Sequence, residues 1–138
     1  MKWLSALHRM VYKATRGRVG QRLVDNDMLL LTTTRRSTGA EHTVPLLYLT
    51  DGDDLIVIAS YGGRAEHPQW YLNLVAAPTV SAQIRDEIIA LEAVTMDSPE
   101  RRVWWPRVVT AYSDYAVYQS KTLREIPVVR LIPVRQTS

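Results

Sequence analysis

The sequence predicts an α+β, mainly β domain: an antiparallel barrel or strongly curled sheet of about six strands, with flanking helices. Three observations predict it. Short runs rich in apolar and β-branched residues recur along the chain, each bounded by turn residues, the pattern of strands. Helical patterns fill only some of the gaps, so strict βα alternation is absent, and so is a GxGxxG fingerprint; a Rossmann domain is disfavoured. The length, 138 residues, suits one domain able to bury a core. The expected organisation is a basic amphipathic helix over residues 1–20 and a single barrel domain over 21–138.

Each element follows from local chemistry. Trp3, Leu4, Leu7, Met10, Val11 and Ala14 fall at helical spacing, with Lys2, Arg9, Lys13 and Arg16 largely off that stripe. This predicts a helix over 2–15 that either docks on the domain or lies on an anionic membrane surface, and Gly17 and Gly20 would end it. Met28 to Thr34 is the first strand, followed by the basic, polar loop RRSTGAEH. Thr43 to Thr50 is the second strand; its Pro45 must lie at an edge or bulge, because proline cannot donate to a sheet. Asp51-Gly52-Asp53 is a hairpin turn into the strand Leu55 to Ser60. Pro68 starts a helix over 68–76. Thr79 to Ile84 and Ile88 to Met96 pair around Arg85-Asp86-Glu87. Ser98 is expected to cap the next helix, with Pro99 at its first position and Pro106 kinking or dividing it. A second helical stretch holds Tyr112, Tyr115 and Tyr118, and Ile126 to Ile132 is the last strand.

Composition removes several function classes. There is no cysteine, hence no disulfide, thiolate nucleophile or cysteine metal site. His8, His42 and His67 are scattered without ligand spacing, so no metal is expected. No apolar run reaches transmembrane length and no signal peptide is evident, so the expected location is the cytoplasm, with peripheral attachment to the inner face of the cell membrane an option. Residues 1–24 carry +6, while the remainder holds 11 basic and 14 acidic side chains. The basic character belongs to the N-terminal segment, which argues against nucleic acid as a partner.

Residues 54–77 organise the rest. The run Leu55-Ile56-Val57-Ile58-Ala59 reads as a buried strand, Ser60 and Tyr61 end it, and Gly62-Gly63 permit a sharp turn or a close approach to a ligand. A helix then begins, with Trp70 and Asn73 on one face. Amides exposed at such a loop and helix start can hold an anion. Trp70 suits the core as well.

ASYGG followed by HPQWYLNL, together with LLLTTTRRSTG, VPLLYL and the tyrosine series ending in IPVVRL, resembles the deazaflavin (F420)-dependent nitroreductases, also called F420H2-dependent quinone reductases. The resemblance runs from about Leu23 to about Pro133. It implies a split β-barrel of the flavin reductase and pyridoxamine phosphate oxidase type. It also implies hydride transfer from the reduced deazaflavin to a small electron-poor acceptor, a quinone or a nitro-aromatic. In that reading the cofactor's phosphate-bearing tail meets Arg36, Ser37, Thr38 and His42. The ring slot uses Pro45, Leu46, Leu47, Ile58, Ala59 and Ser60, with Trp70 and Asn73 bordering the cofactor; Thr43, Val44, Tyr61 and Gln69 are further cofactor contacts. Tyr112, Tyr115, Tyr118 and Ser60 form the acceptor pocket, Tyr115 and Ser60 donating to the acceptor. The loop departs from the family's usual G-R-K-S-G: Ser37 replaces a lysine, His42 an arginine and Tyr61 a lysine, while Arg35 is gained.

The residues themselves agree with such chemistry. Guanidinium groups bind phosphate bidentately, although two arginines in a loop are also ordinary solvated charge. Tyrosines at this spacing can pack a helix on the barrel, or can offer phenol donors to a carbonyl or nitro oxygen. Hydride transfer asks the protein only for position, electrostatics and exclusion of water, which fits a chain with no evident nucleophile or acid–base pair. Two other readings stay open: an FMN-binding oxidoreductase on the same barrel, and a non-catalytic lipid or deazaflavin binder at a membrane.

Overall fold

The computed structural model describes residues 28–134. The N-terminal helix expected over residues 1–20 lies outside them. Seven strands form one antiparallel sheet: β1 (Met28–Thr34), β2 (Glu41–Leu47), β3 (Leu49–Asp51), β4 (Asp54–Ile58), β5 (Thr79–Ile84), β6 (Glu87–Thr95) and β7 (Val128–Pro133). A 3₁₀ turn at Tyr61–Gly63 and helix α1 (Gln69–Ala76) follow β4, while α2 (Ser98–Ala111) and α3 (Asp114–Ser120) follow β6.

The strand order is β2-β1-β5-β6-β7-β4-β3. β2 and β3 therefore occupy opposite edges, yet only Tyr48 separates them in the chain. One bent strand thus pairs with β1 before Tyr48 and with β4 after it, which curls the sheet into a split barrel. The expected single strand Thr43 to Thr50 is cut at this bend, so the strand count is seven and not six. Pro45 pairs opposite Leu30 on the edge strand β2, the position its missing N–H requires.

Alternation sorts the core. Leu29 and Leu31 of β1, Leu55 and Val57 of β4, Val80 and Ala82 of β5, Leu91 of β6, and Val129 and Leu131 of β7 fill the barrel. Trp70 and Leu74 of α1 join that cluster, presenting the i, i+4 stripe of an amphipathic helix. The intervening residues of β4 face outward but stay buried. Ile56 packs with Met96, Trp104 and Val128, and Ile58 with Val108, Tyr115 and Ile126. Coverage by α2 and α3 explains why β4 reads as a continuous apolar run rather than an alternating one.

The helix starts and stops differ in detail from expectation. Asp97, not Ser98, caps α2, its carboxylate accepting from the Glu100 amide at 3.0 Å. Pro106 lies within α2 without dividing it; the break falls at Tyr112, whose backbone is extended. Tyr112, Tyr115 and Tyr118 therefore do not share one helix. Arg130 fastens the outer layer: it pairs with Asp51, Asp54 and Glu100 at 2.9, 2.8 and 2.6 Å, joining β7, the β3–β4 hairpin and α2.

Candidate active site

A cleft of about 800 Å³ opens beside the barrel, within the range of small-molecule and cofactor sites. Its apolar wall is Val44, Pro45, Leu46 and Leu47 of β2 with Ile58 of β4. Ser60, Tyr61 and Gly62 form its turn, Pro68, Gln69 and Trp70 the start of α1, and Tyr112, Tyr115 and Tyr118 the opposite side. His42 lies among the lining residues as well. The strand, the glycine turn and the helix start thus meet in one place, as the sequence of 54–77 predicts.

The cationic end is organised by Asn73, a side chain only 2% exposed. Its amide donates to Thr33 Oγ1 at 3.1 Å and lies 3.4 Å from His42 Nδ1. Its carbonyl accepts from Arg36 Nη1 at 3.1 Å, while Arg36 Nη2 donates to Gln69 Oε1 at 3.1 Å. Arg36 is thereby held over the start of α1, where no side chain caps the helix. A guanidinium has five donors, so Arg36 keeps others for an anion beside the uncapped amides. His42 is held below its usual pKa by burial and then by Arg35; it is a neutral donor or acceptor near pH 7 rather than a third cation.

Ser37 and Thr38 sit in the exposed turn after β1, where Thr38 Oγ1 accepts from the Ala40 amide. Of the expected cofactor contacts, Arg36, Ser37, Thr38 and Asn73 lie beside the cleft's lining rather than in it, and Thr43 and Ala59 do not line it either. Thr43 is exposed, its hydroxyl 2.8 Å from that of Thr32 on the neighbouring strand. Ala59 is fully buried in the barrel core, its backbone bonded to Pro127.

The tyrosine side combines packing and free donors. Tyr112 and Tyr118 flank Tyr115 edge to face, at ring distances of 6.1 and 5.9 Å. The Tyr112 hydroxyl donates to the Tyr48 carbonyl at 3.2 Å. Tyr115 is 7% exposed, and its hydroxyl makes no hydrogen bond among the described residues. Burial, then the neighbouring Tyr112 and Tyr118, push its pKa up to about 12, so it stays a phenol and a donor at any physiological pH. The Ser60 hydroxyl is likewise without a hydrogen bond among the described residues, in a residue 9% exposed.

The turn itself is left-handed three times over, with φ of +50° at Tyr61, +63° at Gly62 and +83° at Gly63. Glycine adopts this freely; Tyr61 does so at a cost of about 1–3 kcal/mol. Its ring carries Arg64 at 4.6 Å from the centroid, with Arg64 also donating to its hydroxyl. The sequence does not single out Arg64, although a cation three residues after an aromatic in a turn is a signal for such stacking.

The donors and walls fit a flat, phosphate-bearing heterocycle: a cationic end with a helix start, an apolar slot, and unbonded hydroxyls across from it. Among the described residues no group of acidic or histidine side chains could hold a metal.

Comparison with known proteins agrees. A profile of the family described as F420H(2)-dependent quinone reductase matches residues 4–133. An F420H(2)-dependent quinone reductase of Mycobacterium tuberculosis is 37% identical over 93% of this chain and 89% of its own. Another M. tuberculosis protein, named as a candidate for the same activity, is 46% identical over 76% of this chain and 88% of its own. The solved structure of an F420-H2 dependent reductase is 40% identical, with a TM-score of 0.70 over 76% of this chain and 93% of that one. A Listeria innocua protein described as a candidate pyridoxamine 5′-phosphate oxidase, 14% identical with a TM-score of 0.58, shares the fold.

Proposed function

The chain belongs to the F420H(2)-dependent quinone reductase family, and from that premise we propose how its residues divide the work. It is an oxidoreductase that uses the reduced deazaflavin F420 and passes electrons to a quinone. The observation that carries the division is that His42 and Gln69 at one end, and Ser60, Tyr112, Tyr115 and Tyr118 at the other, line one cleft.

When bound, the reduced deazaflavin supplies the hydride. Arg36 and the start of α1 would hold its phosphate, and Arg35, Ser37 and Thr38 of the same loop would offer further donors to the tail. Val44, Leu46, Leu47 and Ile58 wall the ring, with Trp70 closing its side. Tyr115 and Ser60 donate hydrogen bonds to the acceptor oxygen as it gains negative charge. Because the Tyr115 hydroxyl makes no other bond among the described residues, it gives up none to do so. The rings of Tyr112 and Tyr118, packed edge to face on that of Tyr115, fix the direction of the donor. Nitro-aromatics, whose oxygens gain charge in the same way, are proposed as side acceptors of the same pocket.

Titrating the protein with F420 and, separately, with FMN, and following absorbance, tests the cofactor. A screen of quinones and nitro-aromatics for turnover follows. Tight FMN binding with no F420 binding would refute the reading, and binding without turnover would favour a carrier.

A cytoplasmic location with peripheral membrane contact is also proposed. It rests on the +6 charge of residues 1–24, which suits an anionic lipid surface; no described helix is long and apolar enough to cross a membrane. Pelleting with anionic vesicles at low salt should be lost on deleting residues 1–16 and on raising salt. A protein that ignores such vesicles has no such contact.

A further inference from the structure

We propose that Arg124 is a positioning residue of the cleft: its guanidinium fixes the glycine turn against the tyrosine helix and so sets the separation of the two walls. The proposal rests on the cofactor reading above.

Arg124 lies in the segment between α3 and β7, 57 to 65 residues from its partners. It donates to the backbone carbonyls of Ala59 at 3.2 Å, Ser60 at 2.7 Å and Arg64 at 2.9 Å, and to His67 Nδ1 at 3.1 Å. A guanidinium can only donate, so His67 accepts through Nδ1 and carries its proton on Nε2. These bonds span the whole turn, from the end of β4 to the approach to α1. They occupy most of the donor fork in holding backbone, which leaves Arg124 poorly placed to bind an anion itself. The Ser60 carbonyl is doubly held, by Arg124 and by the Gly63 amide at 3.0 Å. Its peptide plane is thereby set at the residue that offers a hydroxyl to the cleft, and next to Tyr61 in its left-handed conformation.

The base of Arg124 is pinned in turn. Gln119 of α3 donates to the Arg124 carbonyl at 2.8 Å and accepts from the Ile126 amide at 2.9 Å. Arg101 of α2 donates to the same Gln119 side chain at 3.0 Å and to the Ile126 carbonyl at 2.9 Å. The segment is laced to both helices, so Arg124 acts from a fixed post.

Gly63 completes the seat. A Cβ built there would lie 2.6 Å from the Tyr118 carbonyl and 3.0 Å from Lys121 Cβ. The turn backbone therefore rests directly on α3, at the residue whose ring lines the cleft beside Tyr115. Two independent contacts, one polar and one steric, thus join the Ser60–Tyr61 wall to the Tyr115–Tyr118 wall.

The test compares wild type with Arg124→Ala, Arg124→Lys and Gly63→Ala in three measurements: F420 titration, thermal melting, and amide hydrogen exchange by region. Arg124→Ala should raise the Kd for F420 by roughly tenfold or more. Exchange over residues 59–67 should quicken by a similar factor, with exchange in β1, β5 and β6 unchanged. Lysine, a single point donor, cannot span the diverging carbonyls, so Arg124→Lys should fall between. Gly63→Ala should reproduce the loss by a different route. Wild-type affinity and wild-type exchange at 59–67 in Arg124→Ala would overturn the proposal. So would exchange that quickens equally in every strand, the mark of a merely structural arginine. If Arg124→Ala does not fold, Arg124→Lys and Gly63→Ala decide by the same criteria. Failure of the wild type to bind F420 would sink the cofactor reading instead, and regional exchange in the free protein would still decide the role of Arg124.

Discussion

Replacing Tyr115 by phenylalanine isolates one hydroxyl. The ring keeps its place among Ile58, Val108 and Ile126, and its edge-to-face contacts with Tyr112 and Tyr118. The hydroxyl makes no bond within the described fold, so its removal breaks none. The phenol has a pKa of about 12, so it is uncharged at pH 7 with either residue state of its neighbours, and no charge is lost. Thermal stability should therefore hold to within about 1 kcal/mol, the scatter of a conservative change. Catalysis should not hold. Loss of one preorganised donor to a developing oxyanion costs about 10²-fold in rate, close to 3 kcal/mol. A much smaller loss would mean that water in the cleft replaces the hydroxyl. The assay is steady-state turnover of reduced F420 with a quinone, beside F420 affinity and a thermal melt of the same preparation. Turnover should drop while affinity and Tm hold. A lowered Tm with full turnover per folded molecule would show that the hydroxyl serves the fold, and the donor role would pass to Ser60 or to shape alone.

Other perturbations have defined outcomes. Arg36→Ala should weaken F420 binding by about 1–3 kcal/mol in a titration; the buried Asn73 carbonyl loses the guanidinium donor but keeps the backbone amide of residue 36, so the melt should change less than the affinity, and an unchanged Kd would move the phosphate elsewhere. Arg130→Met leaves Asp51, Asp54 and Glu100 facing one another without their cation; with all three partly exposed, the loss in a denaturant melt should be about 2–3 kcal/mol, below that for a fully buried pair. His42 and His67 both have lowered pKa values, by burial first and by a neighbouring arginine second. Protons then bind the unfolded chain more readily than the folded one, so stability should be flat above the unfolded value near 6.5 and fall as the pH drops below it. His67→Gln should flatten part of that slope in melts between pH 5 and 8, and an unaltered slope would remove His67 from the linkage.

Much of this was legible in the chain because the signals were local. The β4 run, the glycine pair and the proline before α1 are contiguous, so the strand, turn and helix start could be placed from residues 54–77 alone. The edge position of β2 followed from one proline. The tyrosine side was harder. Spacing i, i+3, i+6 suggested one helix, but the chain breaks at Tyr112 and begins again at Asp114, and tertiary packing brings the three rings together. The bend at Tyr48 carries no glycine or proline to announce it. Arg124 was silent for a different reason: its partners are far along the chain, and an arginine beside Glu125 looks like solvated charge. Ala59 falls outside the cleft because a resemblance carries a segment whole, while an extended chain gives Ile58 and Ser60 to the cleft and Ala59 to the core.

The bend at Tyr48 has a consequence for how the protein comes apart. The strand that walls the cleft is the same strand that joins the two edges of the sheet, and Tyr112 grips the bend from the tyrosine side. The cleft cannot widen along β2 without parting that seam. Breathing of the binding wall is thus tied to parting β2 from β1, and its amides should open together with that edge of the sheet. The β2 side of the slot therefore keeps its shape for as long as the sheet stays curled, and any local give in the pocket is left to the turn that faces it.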